Sequence, residues 1–358
     1  PGPDLPRPRP AGRGVARAAA VTGPDRGLAT APGPPDAPAP GTPLDPAVAP
    51  GPGPRWHLHL GAHKTATTHI QQVLDRIGPG LAPAGVQVVP AAAARQASMT
   101  MMRRRDRVLG LIGRGDPARL RGALLGGTPS NGAPSDGARP GTVLVSDENM
   151  LGRLEDALDP VCYRGLTWRL RLLGAATAGD PVTVFLAIRQ MDRFLPAIYV
   201  QTLRHRPPPA PFAALKPRLM ARPPRWCEVA DRIAAALPGA ALRLWRYEDY
   251  AGRERATLAR LCGTDPGPLP EVPRPAETVT PSAPRVAAIE ALPRPRDRGA
   301  WIAAVQAAMA TPEPADAPPY RPFDAAESAR LAEVYAADCA DLAARGLLVD
   351  PAAAAAVG

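Results

Sequence analysis

The chain has 358 residues, a formal net charge of +10, and 41 arginines against two lysines. This length suits one large α/β domain or two small ones, and the basic balance fits either an Arg-rich solvated surface or an anionic substrate or cofactor. Aromatic residues make up only 4% of the sequence, too few for a base-stacking platform, so we do not expect nucleic acid to be a partner.

The N-terminal stretch, residues 1–54, consists almost wholly of Pro, Ala, Gly, Asp and Arg and has no aromatic residue. Such a segment cannot bury enough apolar surface to offset its chain entropy, so it is predicted to be a disordered arm. It also lacks the compact apolar core of a secretory signal. Residues 55–350 are predicted to form the α/β domain.

Five short apolar runs after the arm predict β-strands, and amphipathic stretches between them predict helices. The predicted strands are 56–60, 85–89, 142–146, 182–188 and 241–245. The second and fourth runs are apolar enough to lie in the centre of the sheet. This alternation predicts a doubly wound parallel sheet flanked by helices, whose ligand lies beyond the carboxyl ends of the strands.

Helical patterns recur to the end of the chain. Apolar stripes predict helices around 70–77, 194–199 and 229–237, and two short helices are expected at 282–292 and 298–310. Asp324 and Glu327 have the spacing of a capping box for a last helix, which Gly346 is placed to end.

The loop after the first strand reads Gly61-Ala-His-Lys-Thr-Ala-Thr-Thr and leads into an amphipathic helix. A glycine, a lysine and three hydroxyls before a helix N-terminus are typical of a phosphate-binding loop. Only two residues separate Gly61 from Lys64, so the loop is not a Walker A motif, which has a longer spacing and a Gly-Lys pair. An ordinary ATP or GTP hydrolase is therefore disfavoured.

This loop resembles that of the sulfotransferase family, in particular bacterial members with the form Gly-x-x-Lys-Thr-x-Thr-Thr. The resemblance implies a P-loop-type fold and binding of 3′-phosphoadenosine 5′-phosphosulfate (PAPS) as co-substrate. It also implies that the loop holds the 5′-phosphosulfate. The residues that it assigns to this task are Gly61, Lys64, Thr65, Thr67 and Thr68.

A second family signature is an Arg after a central strand, with a Ser about eight residues later, both of which hold the 3′-phosphate. Arg189 matches the first position, but Ala197 stands at the second, so that contact would have to come from Tyr199, Gln201, Thr202 or Arg193. The stretch 244–250, with Tyr-Glu-Asp, and the stretch 145–152, with Ser-Asp-Glu, also resemble the family. The Glu and Asp of the first are expected to cap the following helix. The Arg-Lys-Gly adenosine motif of the cytosolic enzymes is not evident.

Sulfuryl transfer needs a base for the acceptor and a group that stabilises charge on the leaving phosphate. Lys64 suits the second task. The candidates for the base are Glu148, His63 and His69. No metal site is predicted, since PAPS chemistry does not need one. The aromatic residues that could line a sugar site are also typical core residues: Trp168, Tyr199, Trp226 and Trp245.

The expected function is transfer of a sulfuryl group from PAPS to a hydroxyl or amine, for example on a saccharide or glycolipid. Two alternatives stay open: an ATP-dependent phosphotransferase, and a degenerate nucleotide-binding module without turnover. Four widely spaced cysteines without metal-ligand spacing suggest free thiols in a reducing compartment, so a cytoplasmic location is expected. No apolar run reaches the roughly 18 residues of a transmembrane segment.

Overall fold

The computed structural model describes residues 53–101, 116–126, 141–208, 210–272 and 280–350. All of these belong to one compact unit. The predicted disordered arm lies outside the described residues, apart from Gly53 and Pro54.

A five-stranded parallel sheet forms the centre of the described structure. Its strands are β1 (Arg55–His59), β2 (Val86–Val88), β3 (Thr142–Ser146), β4 (Val182–Ile188) and β5 (Ala241–Arg246). Their spatial order is β2-β3-β1-β4-β5, with every neighbouring pair parallel. The predicted strands are thus confirmed, but the expectation that the second lies in the centre is wrong. β2 is an edge strand, and its apolar side chains pack against α1, the helix beside it.

The helices predicted around 70–77, 194–199, 229–237, 282–292 and 298–310 and the last helix are confirmed, and the described residues contain further helices that no predicted stripe marked. The described helices are α1 (Thr67–Leu81), α2 (Ala91–Met101), α3 (Pro117–Gly126), α4 (Leu166–Ala176), α5 (Met191–His205), α6 (Phe212–Ala221), α7 (Trp226–Ala236), α8 (Glu254–Cys262), α9 (Ala283–Glu290), α10 (Arg298–Ala310) and α11 (Ala325–Ala344). The predicted capping box is present at the start of α11, and Gly346 follows its end with φ 67°.

Helices cover both faces of the sheet, so the fold has three layers. One face packs against α1 and α8 around Ile70, Phe185 and Leu258. The other packs against the remaining helices around residues such as Leu58 and Leu186. Successive residues of a strand point to opposite faces, so each buried strand serves both cores. The doubly wound arrangement predicted from the sequence is therefore present.

The chain reverses its direction of winding at β1, which has β3 on one side and β4 on the other. Loops that follow strands flanking such a switch point leave a crevice between them at the carboxyl edge of the sheet. The loops after β1, β3 and β4 all meet there. No described helix is long and apolar enough to cross a membrane.

Candidate functional site

The loop after β1 is held to the sheet by its backbone and to itself by its hydroxyls. Ala62 N–H donates to the carbonyl of Ala187 at the end of β4, with N···O at 3.1 Å. The Ala62 carbonyl accepts from the hydroxyls of Thr65, at 2.6 Å, and Thr67, at 2.9 Å. Both side chains are buried, whereas Thr68 is exposed at the first turn of α1. The loop is thus pinned from inside while its outer face stays open to a ligand.

Gly61 is required where it stands. Its φ is 91°, and a Cβ placed on it would lie 2.8 Å from the Cβ of Glu148. Only glycine adopts such a conformation readily, and only glycine lets the loop after β3 approach this closely. The same contact shows that Glu148 lies directly beside the loop.

Lys64 sits at the turn of the loop, with a left-handed backbone conformation of φ 59°. Its Nζ donates to Oε1 of Gln201 on α5 at 3.5 Å. The first N–H groups of a helix have no intrahelical acceptor, so the start of α1 adds donors beside this ammonium group. Together they form a surface suited to an anion.

Arg189 follows β4 and reaches back to the loop, where its guanidinium donates to the Lys64 carbonyl at 2.8 Å. The guanidinium also lies over the Tyr247 ring, 4.6 Å from its centroid. Trp226 Nε1 donates to the Arg189 carbonyl at 2.7 Å. Burial lowers the pKa of Arg189, yet an arginine stays charged at neutral pH. Arg189 is therefore a fixed, partly desolvated cation.

Glu148 follows β3 and is mostly shielded from solvent. Gln71 Nε2 donates to Glu148 Oε2 at 3.1 Å, and Arg95 pairs with Glu148 Oε1 at 3.3 Å. Its neighbour Asp147 is buried, and burial, with a smaller effect of the Glu148 charge, raises the Asp147 pKa. Of these two carboxylates, Glu148 is the one that packs against Gly61.

His63 lies inside the structure rather than at the loop surface. Its Nδ1 is 2.9 Å from the Tyr163 hydroxyl, and the two rings stack with centroids 5.6 Å apart. Burial lowers the pKa of His63 to about 4, so the ring is neutral at pH 7 and a weak proton acceptor. His69 Nδ1 bonds to the Tyr250 hydroxyl at 2.8 Å. Of the three residues predicted as bases, only Glu148 lies against Gly61.

A cavity of about 510 Å³ opens beside Arg189, between the start of α5 and the segment that leads into α11. Three arginines line it, Arg189, Arg193 and Arg321, and Arg193 pairs with Asp192 at 3.4 Å. Ala197, at the position that holds Ser in sulfotransferases with a similar loop, also lines this cavity. The other lining residues are Asp192, Pro196, Thr280, Pro319, Tyr320, Pro322, Phe323, Asp324, Ala325 and Ser328.

The contribution of the segment before α11 was missed by sequence reasoning. Arg321 and Ser328 lie more than 120 residues from Arg189 in the chain, and no spacing rule connects them. The only available signal was the Asp324 capping box, which placed a helix N-terminus three residues after Arg321.

Tyr247 and the two acidic residues after it do not cap α8, contrary to the sequence prediction. Glu248 accepts from the backbone N–H of Gln190 at 3.0 Å and from the Tyr335 hydroxyl at 2.9 Å. Asp249 pairs with Arg246 at 3.3 Å. Glu248 thus ties the loop of Arg189 to α11. It binds that loop instead of α8 because β4 and β5 are neighbours in the sheet.

Three of the aromatic residues considered for a sugar site are core residues. Tyr199, Trp226 and Trp245 are buried, with Tyr199 packed on Phe212 and Trp226 on Phe194. In the described parts of the chain, no group of three or more His, Cys, Asp or Glu residues is placed to hold a metal ion.

Comparison of the chain with protein-family models, with curated proteins and with solved structures finds no match.

Proposed function

We propose that this protein is a P-loop-type sulfotransferase that transfers a sulfuryl group from PAPS to a hydroxyl or amine acceptor. The observation that carries the proposal is the double placement of Arg189. Its guanidinium donates to the Lys64 carbonyl of the loop after β1, and the residue also lines the cavity beside α5. Arg189 therefore lies between two regions of positive charge, the loop that carries Lys64 and the cavity beside α5.

A ligand with anionic groups at both ends suits this arrangement. PAPS has a phosphosulfate on its 5′ oxygen and a phosphate on its 3′ oxygen. We assign the first to Lys64 and the start of α1, and the second to the cavity. There Arg193 and Arg321 add charge, and the hydroxyls of Thr280 and Ser328 replace the one absent at position 197. ATP has phosphates at its 5′ end only, so it places no phosphate in this cavity.

The reaction moves one sulfuryl group. The acceptor oxygen or nitrogen forms a bond to sulfur, the bond from sulfur to the 5′-phosphate oxygen breaks, and adenosine 3′,5′-bisphosphate leaves. Glu148, beside Gly61, takes the acceptor proton, and the Lys64 ammonium stabilises the charge that develops on the leaving phosphate. A saccharide or glycolipid is the class of acceptor we propose.

A nucleotide-binding module without turnover is the second candidate, and the state of the predicted bases favours it. Arg95 and Gln71 already bond to Glu148, and His63 is buried and neutral. A base with two donors on it is less free to accept a proton from a substrate.

Calorimetry with adenosine 3′,5′-bisphosphate, with adenosine 5′-monophosphate as the matched ligand, tests the proposal. We expect the bisphosphate to bind at least tenfold more tightly, since the 3′-phosphate adds charged hydrogen bonds. Arg321→Ala should remove most of that difference and leave the monophosphate affinity unchanged. Absence of bisphosphate binding would overturn the proposal.

Labelled PAPS offered with panels of saccharides and glycolipids then separates the two candidates. Transfer of label supports the sulfotransferase, and binding without transfer supports the module. Transfer of the γ-phosphate of labelled ATP to an acceptor would instead support a phosphotransferase. The four cysteines all lie in the described residues and are free, which is in keeping with the cytoplasmic location we propose.

A further inference from the structure

Three polar side chains connect the phosphate loop to the end of α5. Lys64 Nζ lies 3.5 Å from Gln201 Oε1, and Gln201 Nε2 lies 2.9 Å from His205 Nε2. Gln201 and His205 are one turn apart on the same face of the helix. The Gln201 amide therefore bridges a cation on one side and a titratable ring on the other.

The chemistry of these groups fixes the direction of both hydrogen bonds. A lysine ammonium group has only donors, so the amide oxygen of Gln201 must face Lys64. The amide N–H₂ then faces His205, whose Nε2 must accept and cannot carry a proton. If His205 gains a proton at Nε2, that N–H group and the N–H₂ group of Gln201 face each other as two donors without an acceptor between them. Rotating the amide by 180° relieves that conflict but sets its N–H₂ against Lys64.

We infer that His205 is a positioning residue that acts on Lys64 through Gln201: neutral His205 favours the hydrogen bond between Lys64 and the amide oxygen, and protonated His205 disfavours it. The inference extends the proposed function, because it concerns the lysine assigned to the phosphosulfate. The 3.5 Å distance is long for a hydrogen bond, so an incoming phosphate can draw Lys64 away.

Most of the charged groups that the structure describes around His205 are cations. Arg298, next to Asp297 at the start of α10, donates through Nε to the His205 carbonyl at 3.1 Å. The adjacent Arg206 pairs with Glu155 at 2.5 Å. Arg204 precedes His205, and Lys64 lies beyond Gln201.

Ligand binding and protonation of His205 are linked by this geometry. Once a phosphate holds Lys64, the Gln201 amide can rotate and accept from a protonated His205. One proton then passes from solvent to His205 Nε2 as the anion binds, so binding is stronger where His205 can be protonated.

Titration of the His205 ring by NMR in the ligand-free protein tests the coupling without any nucleotide. In Gln201→Leu and in Lys64→Met the titration midpoint of His205 should rise by about 0.5 to 1 pH unit. Each variant removes a hydrogen bond that favours the neutral form of the ring over the protonated form. Lys64→Met should have a much smaller effect in the Gln201→Leu background. Gln306→Leu, at an exposed position of α10, is the matched control and should leave the midpoint unchanged. Additive shifts, or no shift, would overturn the inference.

A second measurement uses adenosine 3′,5′-bisphosphate in buffers of different ionisation enthalpy. The wild-type protein should take up a proton on binding near pH 6.5, and Gln201→Leu should bind with less uptake. Equal uptake by both proteins would also overturn the inference. If the bisphosphate does not bind at all, the proposed function fails, while the ligand-free titration still decides the coupling.

Discussion

Ala66 has a backbone conformation that residues with a side chain seldom adopt. It is the N-cap of α1, with φ 64° and no side-chain cap. The similar loops of sulfotransferases often have glycine at this position. The left-handed conformation costs a residue with a Cβ about 1–2 kcal/mol, so the loop is under strain next to Lys64.

Ala66→Gly should therefore raise the free energy of unfolding. The relief of strain exceeds the roughly 0.4–1 kcal/mol that glycine costs through the unfolded chain, which leaves a gain of about 0.5–1 kcal/mol. Urea unfolding measures it. Ala82→Gly is the matched control, because Ala82 has φ −58° and should lose stability on the same substitution. A loss of stability in both variants would show that the backbone of Ala66 is not strained.

Lys64 is one of only two lysines in an arginine-rich chain. Lys64→Ala should abolish transfer of labelled sulfate from PAPS and weaken binding of adenosine 3′,5′-bisphosphate only about tenfold, since one charged hydrogen bond is lost. Lys64→Arg should also fail in transfer, because a planar guanidinium does not replace a compact ammonium group. Retained transfer in Lys64→Ala would refute its assigned role.

Connections between elements, rather than the elements alone, hold Arg189 in place. Asp338 on α11 is buried and accepts from Arg225 Nε at 2.6 Å and from the backbone N–H of Trp226 at 2.7 Å. Trp226, at the start of α7, donates in turn to the Arg189 carbonyl. The last helix thus supports the site through two hydrogen bonds in series.

Asp338→Ala should lower the free energy of unfolding by about 2–3 kcal/mol, because it leaves a partly buried guanidinium and a buried N–H without their acceptor. Thermal or urea unfolding tests this. Asp341→Ala on the same helix removes only a half-exposed ion pair with Arg345 and should cost about 0.5 kcal/mol or less. Equal losses in the two variants would contradict the support that we assign to Asp338.

The C-terminal segment also protects an edge of the sheet. Leu244 N–H of β5 donates to the Leu347 carbonyl, and Val349 N–H donates to the Leu244 carbonyl. Pairing of this kind satisfies backbone groups that an open edge strand would expose. The segment after α11 therefore completes the fold next to the site.

The molecule as a whole should lose stability in mild acid. Burial lowers the pKa of His59 to about 3 and that of His63 to about 4, below the ordinary value of 6.5. As the pH falls below 6.5, these two histidines bind more protons in the unfolded chain than in the folded protein. The stability contributed by the two neutral rings is full above that pH and is lost towards pH 4.

Between neutral pH and pH 5 each ring should account for a loss of about 2 kcal/mol in the free energy of unfolding. Urea unfolding across this range measures the slope. His63→Asn lowers stability at every pH through lost packing, but it should reduce the slope by about 1.4 kcal/mol per pH unit. A slope unchanged by His63→Asn would show that His63 does not carry this dependence.

Much of the fold could be predicted because its signals are local. Each strand is a short apolar run, and the α11 cap rests on two residues three positions apart. The edge position of β2 could not be predicted, because burial of a strand depends on which neighbours it finds. The burial of His63 could not be predicted either, because it depends on the packing of Tyr163, which is distant in the chain. His63 therefore remained a candidate base in the sequence.

The sequence by itself determined the parallel α/β sheet and a loop suited to phosphate, since periodicity and the Gly61–Thr68 pattern act within a few residues. Only the tertiary structure decided what surrounds that loop. Arg321 from the segment before α11 and Gln201 on α5 reach the site through folding. No local pattern encodes such contacts, because they depend on how distant helices pack across the sheet.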